Sequence, residues 1–239
     1  TMMPRGAADQ RAEEMAAMES VLHARRTHPR VGEWLDQIVD GTLDEVGQAQ
    51  MRHIRKSYAR TMKVPAELAA KIAKVTSKSQ GQWAQARSDE DVAAFLPVLE
   101  EVVALKREEG QALADGGDVY DAMIDDYEPD MTAQELGDMF DVMRPRLVAL
   151  REAVLAAEAP ASLNGHFPAD KQMKLTRQLA RTFGYDMSHG RVDKAVHPFS
   201  SGSGHDVRIT TRTSEGDPFN CFYSTIHEVG HGCYEQNID

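Results

Sequence analysis

The segment HEVGHGCYEQNID, His227 to Asp239, places a glutamate between two histidines at the spacing H-E-x-x-H. On a helix, residues four apart lie one above the other on the same face. The imidazoles of His227 and His231 can therefore both reach one divalent ion, at roughly 2.0–2.1 Å from each nitrogen. Glu228 is turned about 100° from His227, toward a water on that ion rather than the ion itself. A carboxylate so placed can take the proton of a water attacking a carbonyl. The chemistry implied is metal-dependent peptide hydrolysis, with Zn2+ or another divalent metal such as Co2+ or Mn2+ as cofactor. A catalytic zinc site needs three protein ligands and one open position, and this pattern supplies two. Glu235 follows His231 by four residues, but His227 to Glu235 spans about 12 Å of helix rise. Glu235 is thus assigned a packing or supporting role. His197 and His205 are close enough in sequence to fold near the pair, yet neither has ligand spacing to it. The third ligand is expected to lie outside the chain.

The pair needs a rigid helix beneath it. Asp217-Pro218 opens one that runs from about Pro218 to Gln236, since proline suits the first helical turn. Phe222, Ile226, Val229 and Gly230 suit a packed face, with close approach on one side. The preceding stretch, RVDKAVHPFSSGSGHDVRITTRTSEGDP, has β-branched residues in short runs separated by Ser and Gly. It reads as two short strands, near Arg191 to Val196 and Asp206 to Thr213, joined by a flexible loop.

Earlier in the chain the pattern is helical. A segment from Asp9 to Thr27 is rich in helix formers and ends at His28-Pro29. Thr42 to Glu45 reads as a capping box for a helix through Tyr58. Pro65 suits the first turn of the next helix, which carries Leu68, Ile72 and Val75. Ser88 to Asp91 caps another, with Phe95, Leu99, Val102 and Leu105 at helical spacing. Thr132-Ala133-Gln134-Glu135 is a second capping box, and Pro145 within its helix predicts a kink or break. YDAMIDDYEPDMT, between these last two helices, reads as an acidic structural turn. The expected organisation is a helical region over 1–160, then a catalytic region beginning at 161–239.

The formal charge of −11 and the pI near 5.3 argue against nucleic acid or an anionic membrane as partner. The sequence shows no apolar run of membrane-spanning length. Cys221 and Cys233 lie on one helix, too far apart to pair, and fit a reducing cytoplasm.

Three motifs occur in order: His197-Pro198-Phe199, then Asp206-Val207-Arg208-Ile209-Thr210, then His227 to His231. With them, HPFSSGSGHDVRITTR and FYSTIHEVGHGCYEQN resemble the carboxypeptidase Taq family of metallocarboxypeptidases. The upstream PAELAAKIAKVTSKSQGQWAQARSDEDVAAFLPVLEEVV and YDAMIDDYEPDMT are similar to that family's helical N-terminal half. The resemblance implies a mostly α, zincin-like helical metallopeptidase fold, with a small β-hairpin before the H-E-x-x-H helix. It implies a homodimeric full-length enzyme, about twice this length, that releases C-terminal residues from peptides. A glutamate ligand beyond the zinc helix, in an H-E-S/G-Q motif, belongs to the same implication. The chain is therefore expected to be the N-terminal half, inactive alone. The resemblance leaves His197 and Arg208 open between substrate binding and structural hydrogen bonds or ion pairs. H-E-x-x-H by itself also fits a zincin-type oligopeptidase or endopeptidase, and a non-catalytic helical interaction domain is the rival of a different class.

Overall fold

The computed structural model describes residues 4–238. The chain divides into two compact units, one reaching Val154 and the other beginning at Leu155.

The first unit is helical throughout: α1 (Ala8–Arg26), α2 (Pro29–Gln37), α3 (Glu45–Lys63), α4 (Ala66–Ser88), α5 (Val92–Ala114), α6 (Val119–Ile124) and α7 (Ala133–Ala156), whose last turn enters the second unit. Its core is Val64, Leu68, Val75, Leu105 and Leu113, with Ile72, Val102 and Met123 packed against them. Of these, Leu68, Ile72, Val75, Val102 and Leu105 are marked in the sequence by helical spacing, whereas Leu99, marked in the same way, is exposed. Caps explain several starts. Asp91 accepts from the Ala94 N–H at 3.0 Å. The Thr132 box is reciprocal: Glu135 N–H donates to Thr132 Oγ1 at 3.2 Å, and Thr132 N–H to Glu135 Oε2 at 2.9 Å.

Three local expectations are corrected. Asp44, not Thr42, caps α3, accepting from the Gly47 N–H at 2.8 Å, while Thr42 closes a 3-10 turn over Asp40–Thr42. Pro65 stands just before α4 as its N-cap. α7 continues through Pro145 as one helix, so the break does not occur. α7 also buries none of its residues, so Phe140, Met143, Leu147 and Val148 line an open apolar face.

The stretch read as an acidic turn is helical in its first part, Tyr120 to Ile124 lying in α6, and the whole of it acts as a fastening. Lys56 Nζ donates to Asp125 Oδ1 at 2.8 Å, and Arg60 forks Asp126 at 2.5 Å from each oxygen. Asp121 Oδ1 accepts from the Ala133 N–H at 2.7 Å. The turn thereby ties α3 to the start of α7.

The second unit contains α8 (Ala169–Thr182), β1 (Gly190–Lys194), β2 (Ser200–Ser203), β3 (Asp206–Thr211) and α9 (Pro218–Gln236). Composition had not pointed to α8, although Met173, Thr176 and Ala180 are buried at helical spacing along it. The sheet has three strands in the order β1-β3-β2. The two strands read from the sequence do pair, but in parallel. The intervening loop supplies β2, which forms an antiparallel hairpin with β3. Ser200 to Ser203 lacks β-branched residues, so only its ladder to β3 reveals it as a strand. Gly202, at φ +106, lies where a Cβ would collide with the Asp206 carbonyl oxygen. The core of this unit is Met173, Ala180, Tyr185, Val192, Ile209 and Val229.

Candidate metal centre

Asp217 starts α9 by accepting from the Phe219 N–H at 3.0 Å, with Pro218 in the first turn. One face, Cys221, Thr225, Glu228, Val229 and Gly232, is buried. The other exposes Phe219, Tyr223, His227, Gly230, His231 and Tyr234.

Two anchors fix the rotation and height of this helix. Before the histidines, the Thr225 hydroxyl lies 2.8 Å from the Cys221 carbonyl and 3.0 Å from Thr211 Oγ1. Thr211 Oγ1 also lies 3.1 Å from that carbonyl, and Thr176 Oγ1 lies 3.2 Å from Cys221 Sγ. This buried hydroxyl–thiol cluster joins α9 to β3 and α8. After the histidines, Gly232 seats against the Tyr185 ring. The Tyr185 hydroxyl donates to the carbonyls of Val207 and Arg191. Burial raises the Tyr185 pKa, which keeps that hydroxyl protonated as a donor. The close-approach glycine is thus Gly232, not Gly230, which is exposed with nothing within 4 Å of a Cβ.

Between the anchors, the Nε2 atoms of His227 and His231 lie 3.2 Å apart, with ring planes inclined 80°. Two nitrogens each about 2.05 Å from a tetrahedral ion would be separated by about 3.3 Å. The spacing fits joint ligation of one such ion. Glu228 is 7% exposed, and among the described residues no hydrogen bond reaches its carboxylate, so both oxygens remain available to a water or ligand. Among the described residues, no group of three or more His, Cys, Asp or Glu side chains is placed to hold a metal ion. Glu235 is half-buried and uses its carbonyl to accept from the Gly204 N–H at 3.1 Å.

The other two motifs meet each other. Thr210 and Phe199 exchange backbone and side-chain bonds: Phe199 N–H to Thr210 Oγ1 and Thr210 N–H to Phe199 O, each 2.9 Å. Thr210 Oγ1 lies 3.4 Å from the His197 carbonyl. So β3 holds the H-P-F segment through Thr210 and α9 through Thr211, two threonines to which sequence reasoning gave no role of their own. The threonine at the end of D-x-R-x-T was the available signal. The His197 ring is exposed. Arg208 is exposed too, its guanidinium forking Asp206 with two bonds of 2.8 Å. This pairing lowers the Asp206 pKa and raises that of Arg208. His205 packs on His189. Cys221 and Cys233 are both free thiols, and burial pushes the Cys233 thiol upward. Among the described residues, no helix is long and apolar enough to cross a membrane.

The chain is similar over its whole length to several known proteins. Thermostable carboxypeptidase 1 of Thermus thermophilus is 37% identical over the whole chain, which covers 50% of that protein. Carboxypeptidase 1 of Bacillus subtilis is 29% identical, with 49% of its length covered. The chain spans about half the length of the curated relatives it matches. The crystal structure of M32 carboxypeptidase from Deinococcus radiodurans superposes with a TM-score of 0.82 at 34% identity, over 100% of this chain and 49% of that one. Metallocarboxypeptidase 1 of Trypanosoma cruzi gives 0.80 at 33% identity, over 100% and 50%. The family model for carboxypeptidase Taq (M32) metallopeptidases matches residues 1–239, and the chain belongs to that family.

Proposed function

We propose that this chain carries the water-activating part of a metal-dependent carboxypeptidase that releases C-terminal residues from peptides. The observation that carries the reading is the 3.2 Å separation of the His227 and His231 Nε2 atoms, with the Glu228 carboxylate one residue along the same helix. His227 and His231 would hold a divalent ion; zinc suits two imidazoles, and cobalt or manganese are the substitutes. When bound, the ion supplies Lewis acidity toward a carbonyl and makes water nucleophilic at neutral pH. Glu228 accepts a proton at its carboxylate from the attacking water and returns it to the departing amine nitrogen. The Cys221–Thr225 and Gly232 anchors hold the three side chains in place. Arg208, oriented by Asp206, and His197 are the substrate-side candidates. In this reading the third ligand and the wall that receives the substrate carboxylate come from outside these residues. The 239 residues alone then bind metal weakly and do not hydrolyse peptides.

The test is a zinc titration of the chain and its variants, with an assay on a blocked dipeptide bearing a free carboxylate. Zinc stoichiometry should fall by one in His227→Ala and His231→Ala and stay unchanged in Glu228→Gln. Loss of zinc in Glu228→Gln would make Glu228 a ligand. Turnover by the chain alone would mean that a third ligand lies within it.

A further inference from the structure

The loop between α8 and β1 and the turn between β2 and β3 each carry one histidine, and the fold brings the two together. The rings of His189 and His205 lie 4.5 Å apart between centroids, inclined by 51°. Their backbones are fastened. The His189 carbonyl accepts from the Val207 N–H at 2.9 Å, extending the β1–β3 ladder. The Gln236 side chain accepts from the Asp186 N–H and donates to the Asp186 carbonyl, both at 2.9 Å. Gly204, next to His205, donates to the Glu235 carbonyl. Both loops are thus tied to the last turn of α9.

One of the rings has a carboxylate neighbour. Asp186 Oδ1 accepts from the Ser188 N–H at 2.7 Å and its hydroxyl at 2.6 Å. Asp186 Oδ2 lies 3.0 Å from His189 Nδ1. A carboxylate can only accept, so the contact turns Nδ1 toward Asp186 and leaves Nε2 as the ring nitrogen facing away from it. This carboxylate–imidazole pairing is the arrangement that orients histidine ligands and raises their basicity. His189 is half-buried and His205 exposed, so a solvated ion can reach both. The C-terminal end of α9, with its partial negative charge, favours a cation nearby.

We propose that His189 and His205 form a second metal site for an imidazole-preferring divalent transition ion such as Cu2+, Ni2+ or Zn2+, with Asp186 as the positioning residue for His189. Water completes the coordination, as two imidazoles alone leave most positions open. An ion bound there clips the β2–β3 turn to the α8–β1 loop beside the end of α9. The site is independent of the His227–His231 reading.

The test uses Cu2+ on the chain carrying His227→Ala and His231→Ala, which removes the other imidazole pair. Calorimetry should show one bound ion, and electron paramagnetic resonance should show nitrogen couplings from two imidazoles. Adding His205→Ala or His189→Ala should weaken binding at least ten-fold, and Asp186→Asn should weaken it about ten-fold. Both rings lie at the surface, and unchanged circular dichroism would confirm folding; His205→Gln serves as a second variant. Absence of bound Cu2+ in the parent double variant overturns the proposal, as does binding that survives His189→Ala with His205→Ala. Full affinity in Asp186→Asn overturns the part given to Asp186.

Discussion

Gly232 lies flat against the Tyr185 ring: a Cβ on it would stand 2.8 Å from Cε2 and 3.0 Å from Cδ2, with Ile209 Cγ2 at 3.2 Å. The ring cannot retreat easily, because Tyr185 is 2% exposed and its hydroxyl is bound to two carbonyls. Gly232→Ala should therefore destabilise the chain by about 1–3 kcal/mol through overpacking. Gly230→Ala, two residues earlier on the open face, should stabilise it by about 0.5–1 kcal/mol. Urea unfolding of both variants checks the rotation of α9, and the opposite order would mean that a different face of the helix is packed.

The start of the same helix depends on Asp217. Asp217→Ala removes the acceptor of the Phe219 N–H and should cost about 1 kcal/mol, while Asp217→Ser should cost a few tenths. Thermal unfolding distinguishes the two, and equal losses would show that the side chain matters for something other than capping.

In the helical unit, Glu109 is 7% exposed and held by Arg60 at 3.2 Å and Lys106 at 2.7 Å. Removing Arg60 leaves a buried carboxylate with one partner and also releases Asp126. Arg60→Met should cost about 2–4 kcal/mol. Combining it with Glu109→Gln should recover part of the loss, which a double-mutant cycle by denaturant unfolding measures.

The Lys56–Asp125 pair gives a pH signature. Hydrogen bonding to Lys56 holds Asp125 below its ordinary 3.8, and hydrogen bonding to Asp125 lifts Lys56 above 10.5. A depressed carboxylate contributes stability that is present above its unfolded pKa and lost as pH falls through the folded one. A raised lysine contributes below its unfolded pKa and loses it as pH rises through the folded one. The stability difference between the native chain and Lys56→Met should be flat from about pH 5 to pH 9 and shrink on both sides. A difference that grows below about pH 4 would contradict the pairing.

Much of this was legible along the chain because it depends on neighbours in sequence. Helical periodicity located part of the core of the first unit, since side chains at i, i+3 and i+4 share a face whatever they pack against, but it marked the exposed Leu99 and Phe140 in the same way. Asp217-Pro218 marked the start of α9, and the four-residue spacing of His227 and His231 already implied that one ion could bridge them. Of the acidic stretch read as a turn, Asp125 to Asp130 form one and Tyr120 to Ile124 belong to α6; its partners were not readable, because Lys56 and Arg60 lie more than sixty residues away.

Tertiary structure alone decided the rest. β2 has the composition of a loop and is a strand only because β3 offers it a ladder. Gly230 and Gly232 are equivalent by local pattern, and only the position of Tyr185 shows which one must lack a Cβ. Thr211 and Thr225 look like ordinary polar residues until a shared carbonyl makes them the clamp beneath Glu228. His189 and His205 are sixteen residues apart in sequence, and the end of α9 sets their rings side by side. In each case the interaction is between segments whose separation along the chain carries no signal, and whose proximity is set by burial of Val192, Ile209 and Val229 in one core.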